Sequence, residues 1–196
     1  MRHILSYSFY EQSTLSLARN LLGKQLVHES NEGHTIGRIV ETEAYLGVMD
    51  QAAHSFNGRR TKRTEIMFGP PGVIYTYVMH THCLFNIVTN KIDVPEAVLI
   101  RAIEPIEGES LMVKRRGPAR RGVTLTNGPG KLTKAMGITL DDYGHYATES
   151  PTYIIDGPEP SNISIGKRVG IDNSGEARDY PYRFWITGNK YVSRSR

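Results

Sequence analysis

The strand-forming runs of this chain lie too close together for helices to fit between most of them, and that spacing restricts the fold before any other property does. Residues 24–28 and 35–45 read as strands, and only the turn-rich ESNEGH separates them, so they pair as a hairpin. Residues 73–78 (VIYTYV) alternate and are rich in β-branched and aromatic side chains, while residues 97–102 (AVLIRA) are an almost continuous apolar run; both read as central strands. Shorter strands are expected at 153–155, 167–170 and 183–187. A parallel pair needs a crossover of about a dozen residues or more. The expectation is therefore one α+β domain over residues 1–196, with a mainly antiparallel sheet. Three helices complete it. Ser13 caps one whose apolar positions Leu15, Ala18, Leu21 and Leu22 recur at helical spacing before Gly23; the others are read at 107–116 and at 131–136, the latter ended by Gly137.

At 39% hydrophobic residues, the 196-residue chain can close one good core. Cys83 is the only cysteine, which excludes an internal disulfide and any zinc site built on paired cysteines. No apolar run approaches the roughly 20 residues needed to cross a bilayer. The opening MRHILSYSFYEQ lacks the apolar core of a signal peptide, so a cytoplasmic protein without a membrane partner is expected. Lys and Arg outnumber Asp and Glu by 24 to 20. Their distribution says more than the total. Arg59, Arg60, Lys62 and Arg63 form one cluster, and Lys114, Arg115, Arg116, Arg120 and Arg121 a second, neither interrupted by an acid. Two such clusters suit a face that tracks phosphates.

The second strand ends in the segment RIVETEAYLG, residues 38–47. Unbroken alternation puts Glu41, Glu43 and Tyr45 on the face of Ile39, opposite Val40. The polar, basic segment 47–72, punctuated by Gly69, Pro70, Pro71 and Gly72, reads as a long surface loop that can return His54 over Glu43 and Tyr45. Tyr75 and Tyr77 repeat the period-2 placement on another strand. A carboxylate, several aromatic faces and a histidine make a slot for a planar ring, such as a base flipped out of a duplex.

The motifs RIVETEAYLG, AAHS, MF.PPG.IY.Y, FNIVT, LIRAIEP, NGPGKL and RVGIDNSGEARDYPYRFWITGN occur in this order across nearly the whole chain. Together they resemble the alkyladenine (3-methyladenine) DNA glycosylase family. The resemblance implies a curved sheet flanked by helices, no cofactor or metal, and duplex DNA with damaged purines as the partner of a monomeric enzyme. It implies that Glu43 is the general base that polarises a water, with Arg101 beside that water. By the same resemblance Tyr45, His54 and Tyr77 wall the base pocket, Asn86 screens purine substituents at its floor, and Lys131 of NGPGKL contacts phosphate. The residue types suit the chemistry. Cleaving an N-glycosidic bond develops oxocarbenium character that a carboxylate stabilises while it takes a proton from water. An alkylated, cationic purine is drawn to tyrosine faces. A glycosylase that also cuts the strand needs an amine nucleophile, and no lysine falls among the pocket matches, so a monofunctional enzyme is implied.

One segment departs from the family. Members commonly end the strand in a tyrosine and a glycine, the tyrosine filling the hole left by the flipped nucleotide, whereas residues 75–86 here read YTYVMHTHCLFN. Counting forward from Tyr77 makes His80 the wedge, and counting back from Asn86 makes it Met79. Two other readings stay open on sequence. His80 and His82, sharing a strand face with His54 and a carboxylate nearby, are the makings of a metal site in a hydrolase or nuclease. A non-catalytic basic DNA-binding module is the other.

Overall fold

A computed structural model describes residues 3–193. Its strands are β1 (Gln25–Ser30), β2 (Gly33–Tyr45), β3 (Ile74–Met79), β4 (His82–Thr89), β5 (Glu96–Glu107), β6 (Thr152–Ile155), β7 (Ile163–Gly166) and β8 (Arg183–Ile186). The α-helices are α1 (Tyr7–Tyr10), α2 (Thr14–Asn20), α3 (Glu109–Arg116) and α4 (Pro129–Met136). All strands join one sheet in the order β3-β4-β5-β2-β1-β6, with β8 also on β2 and β7 on β8. Every one of these pairings is antiparallel. The fold is thus α+β, a curled antiparallel sheet flanked by helices. Among the described residues no helix is long and apolar enough to cross a membrane.

The spine is β2. One edge pairs with β5 along its length; on the other, β1 covers the segment up to Arg38 and β8 takes over from Glu41 to Glu43. The β2–β5 register slips three times: Ile36 faces Glu107 and Gly37 faces Pro105, which leaves Ile106 as an extra residue on β5. Ile39 faces Ile103 and Glu41 faces Ala102, which leaves Val40 as an extra residue; Thr42 then faces Ile100, which leaves Arg101 as an extra residue on β5. Such bulges bend a strand and re-aim its side chains. Here they correct the expectation from alternation: Ile39 and Val40 both enter the main core with Ala44, so Ile39 does not share the face of Glu41, Glu43 and Tyr45.

That core lies between the sheet and the helices. Leu17, Ala18, Leu21 and Leu22 from the α2 region and Leu132, Ala135 and Met136 of α4 pack with Val98 and Ile100. Cutting Ile100 to Ala in such a site costs about 2–5 kcal/mol. Ser13 caps α2 by accepting from the Ser16 N–H, and Pro129 opens α4 where a missing N–H does no harm. The strand β5 runs on to Glu107 rather than giving way to a helix there. The break comes at Gly108, with φ +74°, where an added Cβ would stand 2.5 Å from the His34 carbonyl oxygen.

Two further expectations shift. The strand read at 167–170 lies four residues earlier, as β7, because Arg168 turns inward to pair with a buried acid instead of facing outward from a sheet. His80 and Thr81 form the two-residue turn of the β3–β4 hairpin, with φ of +47° and +71°, and Met79 pairs with His82 across it. His80 and His82 therefore do not share a strand face, because one sits in the turn and the other opens the next strand.

Candidate active site

On the face of the sheet away from α2, a cleft of about 310 Å³ opens between β2, the β3–β5 strands and the loops that follow β2 and β7. Tyr45, His54, Tyr75 and Tyr77 line one side, Asn86, Leu84, Leu99 and Arg101 the floor, and residues 169–174 the other side. The Tyr75 and Tyr77 rings stack at 5.4 Å, and His54 stands edge-on to Tyr77 at 4.5 Å. His54 Nδ1 shares a 2.8 Å hydrogen bond with the Tyr75 hydroxyl. Burial, helped by the charges of Arg63 and Arg59, pulls the His54 imidazole down to about 4, so it is neutral at physiological pH. Burial, with the nearby Glu43 carboxylate, pushes the Tyr77 phenol up to about 12 and Tyr45 well above its usual range. These walls are aromatic and uncharged.

Glu43 is fully buried beneath them. Its carboxylate accepts from the Tyr45 hydroxyl and the Val169 N–H, each at 2.8 Å, and Arg101 Nη1 lies 3.4 Å away. All three partners line the cleft. Glu41, two residues back and equally buried, is bound on every side: by Arg101 Nε at 3.1 Å, Arg183 Nε at 2.7 Å, and the Ser193 N–H and hydroxyl at 2.7 and 2.8 Å. The bulge at Arg101 puts one guanidinium against both carboxylates. Asn86 is buried opposite Tyr75 and donates to its carbonyl at 2.9 Å.

Other candidates are dispersed. Met79 lines the cleft lip, while His80 stands exposed at the hairpin tip. Arg59, Lys62 and Arg63 are exposed, with Arg63 over the Tyr77 ring at 5.9 Å. Arg60 is engaged by both oxygens of Glu65 and by Asp93. Lys131 Nζ donates to Asn127 Oδ1 at 2.7 Å. In the second basic cluster, Lys114 and Arg115 bind Glu32, and Arg116 bonds the carbonyls of Leu125 and Thr124. Those three make contacts within the protein at the end of α3, Lys114 from an exposed position. His54 is occupied by Tyr75, and among the described residues no group of three His, Cys, Asp or Glu is placed to hold a metal ion.

Sequence reasoning missed four participants. The Val169 N–H that holds Glu43 is a backbone group and has no sequence signature. Arg168 and Asp50 form a fully buried bidentate pair, at 2.5 and 2.8 Å, between residues 118 positions apart. Ser193 reaches Glu41 across a similar separation. The juxtaposed Glu41 and Glu43 were the visible clue that buried cations had to arrive from elsewhere.

The cleft sets aromatic, uncharged walls over a buried carboxylate and an arginine, with exposed cations at its rim. Residues 8–190 match the model of the methylpurine-DNA glycosylase family, and the chain belongs to that family. It is 63% identical over 190 residues to a Bacillus subtilis protein named "Putative 3-methyladenine DNA glycosylase", covering 97% of this chain and 96% of the relative. Proteins of the same name from Oceanobacillus iheyensis and Listeria monocytogenes are 53% and 46% identical, the first over 97% of this chain and 96% of the relative, the second over 100% and 95%.

Proposed function

We propose that the protein is a monofunctional DNA glycosylase that draws alkylated or deaminated purines (3-methyladenine, 7-methylguanine, hypoxanthine) out of duplex DNA, hydrolyses the N-glycosidic bond and leaves an abasic site. The observation that carries this reading is Glu43, buried directly behind Tyr45, Val169 and Arg101, which line a slot with uncharged aromatic walls. Extruding a base costs a few kcal/mol. The slot offsets this by stacking the base among Tyr45, His54 and Tyr77, while Asn86 meets the edge of the purine. The wedge, Met79 or His80, enters the vacated stack, as intercalating side chains do in bent duplexes, and Arg59, Lys62, Arg63 and Lys131 follow the phosphates; Arg60 braces the loop that carries the first three.

Glu43 then takes a proton from water as that water attacks the anomeric carbon, and the carboxylate stabilises the positive sugar that develops. Arg101 orients Glu43 and the water. A cationic alkylated purine leaves readily, whereas hypoxanthine needs a proton as it departs. No lysine lines the cleft, so no amine is at hand to form a Schiff base with the sugar and cut the strand. Incubation with duplexes carrying each lesion tests the proposal: free base is released, and the strand breaks only after alkali. Strand cleavage without alkali would overturn the monofunctional assignment, and an absence of released base the reading itself.

A further inference from the structure

Tyr45 has a charge behind it. Arg168 holds its guanidinium carbon 4.7 Å from the ring centroid, its side chain is wholly buried and it takes no part in lining the cleft, so it backs the ring from within the protein. The guanidinium is fixed by the Ala44 carbonyl at 2.9 Å and the Ala177 carbonyl at 3.1 Å, and it packs against Tyr182. Asp50 neutralises it through two hydrogen bonds and also accepts from the N–H groups of Leu46 and Ala52, which orders the loop leading to His54.

We propose that the Arg168–Asp50 pair is a charge-balanced backing for Tyr45 that sets how evenly the slot accepts cationic and neutral purines. The proposal rests on the reading of Tyr45 as a wall of the base slot. A ring face attracts a cation through its quadrupole, and a cation already on one face repels another across the ring. Both members of the pair are sealed from water, so salt screens them little. A purine on the open face sits roughly 8 Å from the guanidinium, where one uncompensated charge at an effective dielectric near 20 changes an equilibrium by about tenfold or more. With Asp50 in place the two effects nearly cancel. Tyr45 then offers a cationic 7-methylguanine its attraction without excluding a neutral hypoxanthine.

The test is the ratio of single-turnover release of 7-methylguanine to that of hypoxanthine from otherwise identical duplexes. Both are measured on one preparation, so any misfolded fraction cancels. In Arg168→Gln the ratio rises about tenfold, because an unpaired acid favours the cation; in Asp50→Asn it falls by a similar factor or more. The double variant returns to within about twofold of the parent, and Arg168→Lys, which keeps the charge, lowers both rates but holds the ratio. Should Arg168→Gln fail to fold, Asp50→Asn, with an amide of the same shape, still carries the sign. Ratios that stay fixed, or move the same way in both single variants, overturn the proposal, as does a parent enzyme that releases no hypoxanthine. A Tyr45→Leu variant that matches the parent in both rates would show instead that Tyr45 is not a wall of the slot.

Discussion

Beneath the cleft, Glu41, Glu43, Arg101, Arg168 and Arg183 are no more than 7% exposed, and the Glu41 and Glu43 carboxylates are held by hydrogen bonds from three or more elements. On its lip, Met79 is 46% exposed, and the turn beside it puts His80 and the β-branched Thr81 in the left-handed region, which costs about 1 kcal/mol per residue. The floor is charged, dry and fixed; the lip is apolar, wet and strained. Under the proposed function, the difference gives each separate work. A hydrolytic carboxylate acts best when its surroundings need not reorganise, whereas a wedge must leave water for a base stack and return.

The largest effect that would confirm this division is at Glu43. Single-turnover base release by Glu43→Gln falls by about 10² or more, while affinity for a duplex with an abasic-site analogue is kept; loss of both together would merge floor and lip into one device. Next comes the lip. Met79→Ala combined with His80→Ala lowers affinity for the abasic-site duplex and slows release about tenfold, yet the acid side of the pH–rate profile stays in place. A displaced profile would mean that the hairpin also shapes the floor.

Smaller effects separate the lip from the basic rim. Replacing Arg59, Lys62 and Arg63 with Gln reduces the slope of log affinity against log salt by about 2–3, leaving the single-turnover rate on saturated enzyme unchanged. The weakest signal belongs to His54. Its proton affinity is lowered to about 4 in the folded protein against a usual 6.5, so the unfolded chain binds more protons between those values. Stability from this group is complete above about pH 6.5 and is lost as pH falls towards about 4. His54→Gln flattens that part of a urea-denaturation profile; an unaltered profile would place the imidazole in water.

Much of this was legible in the sequence, and the boundaries of what was not have physical causes. The runs that became β2 and β5 announce themselves because both faces are buried, and α4 because Gly137 ends it. The hairpin between β3 and β4 was hidden because His80 and Thr81 occupy a turn that Asn and Gly normally signal. The reversal of Ile39 was hidden because two compensating bulges carry no glycine or proline mark. At the site, the resemblance named Glu43, Tyr45, His54, Tyr77, Asn86 and Arg101; the last five line one cleft, and Glu43 lies buried behind its wall, held by Tyr45 and Val169 with Arg101 beside it. It could not reveal Arg168, Asp50 or Ser193, whose partners lie more than a hundred residues away, nor that Glu65 and Asp93 occupy Arg60.

The clasp of Ser193 on Glu41 spans 152 residues, and that of Arg183 spans 142. A growing or refolding chain makes β2 long before these counter-ions arrive, and contacts of such separation close late. Until they do, two carboxylates side by side on β2 have only Arg101 to offset them, and the strand cannot be sealed from water without leaving a charge uncompensated. The proposed hydrolytic centre is therefore among the last parts of the molecule to form. A nicked or half-folded chain with a formed sheet and an open slot would have no working base beneath it, so release of a purine reports that the whole chain has closed.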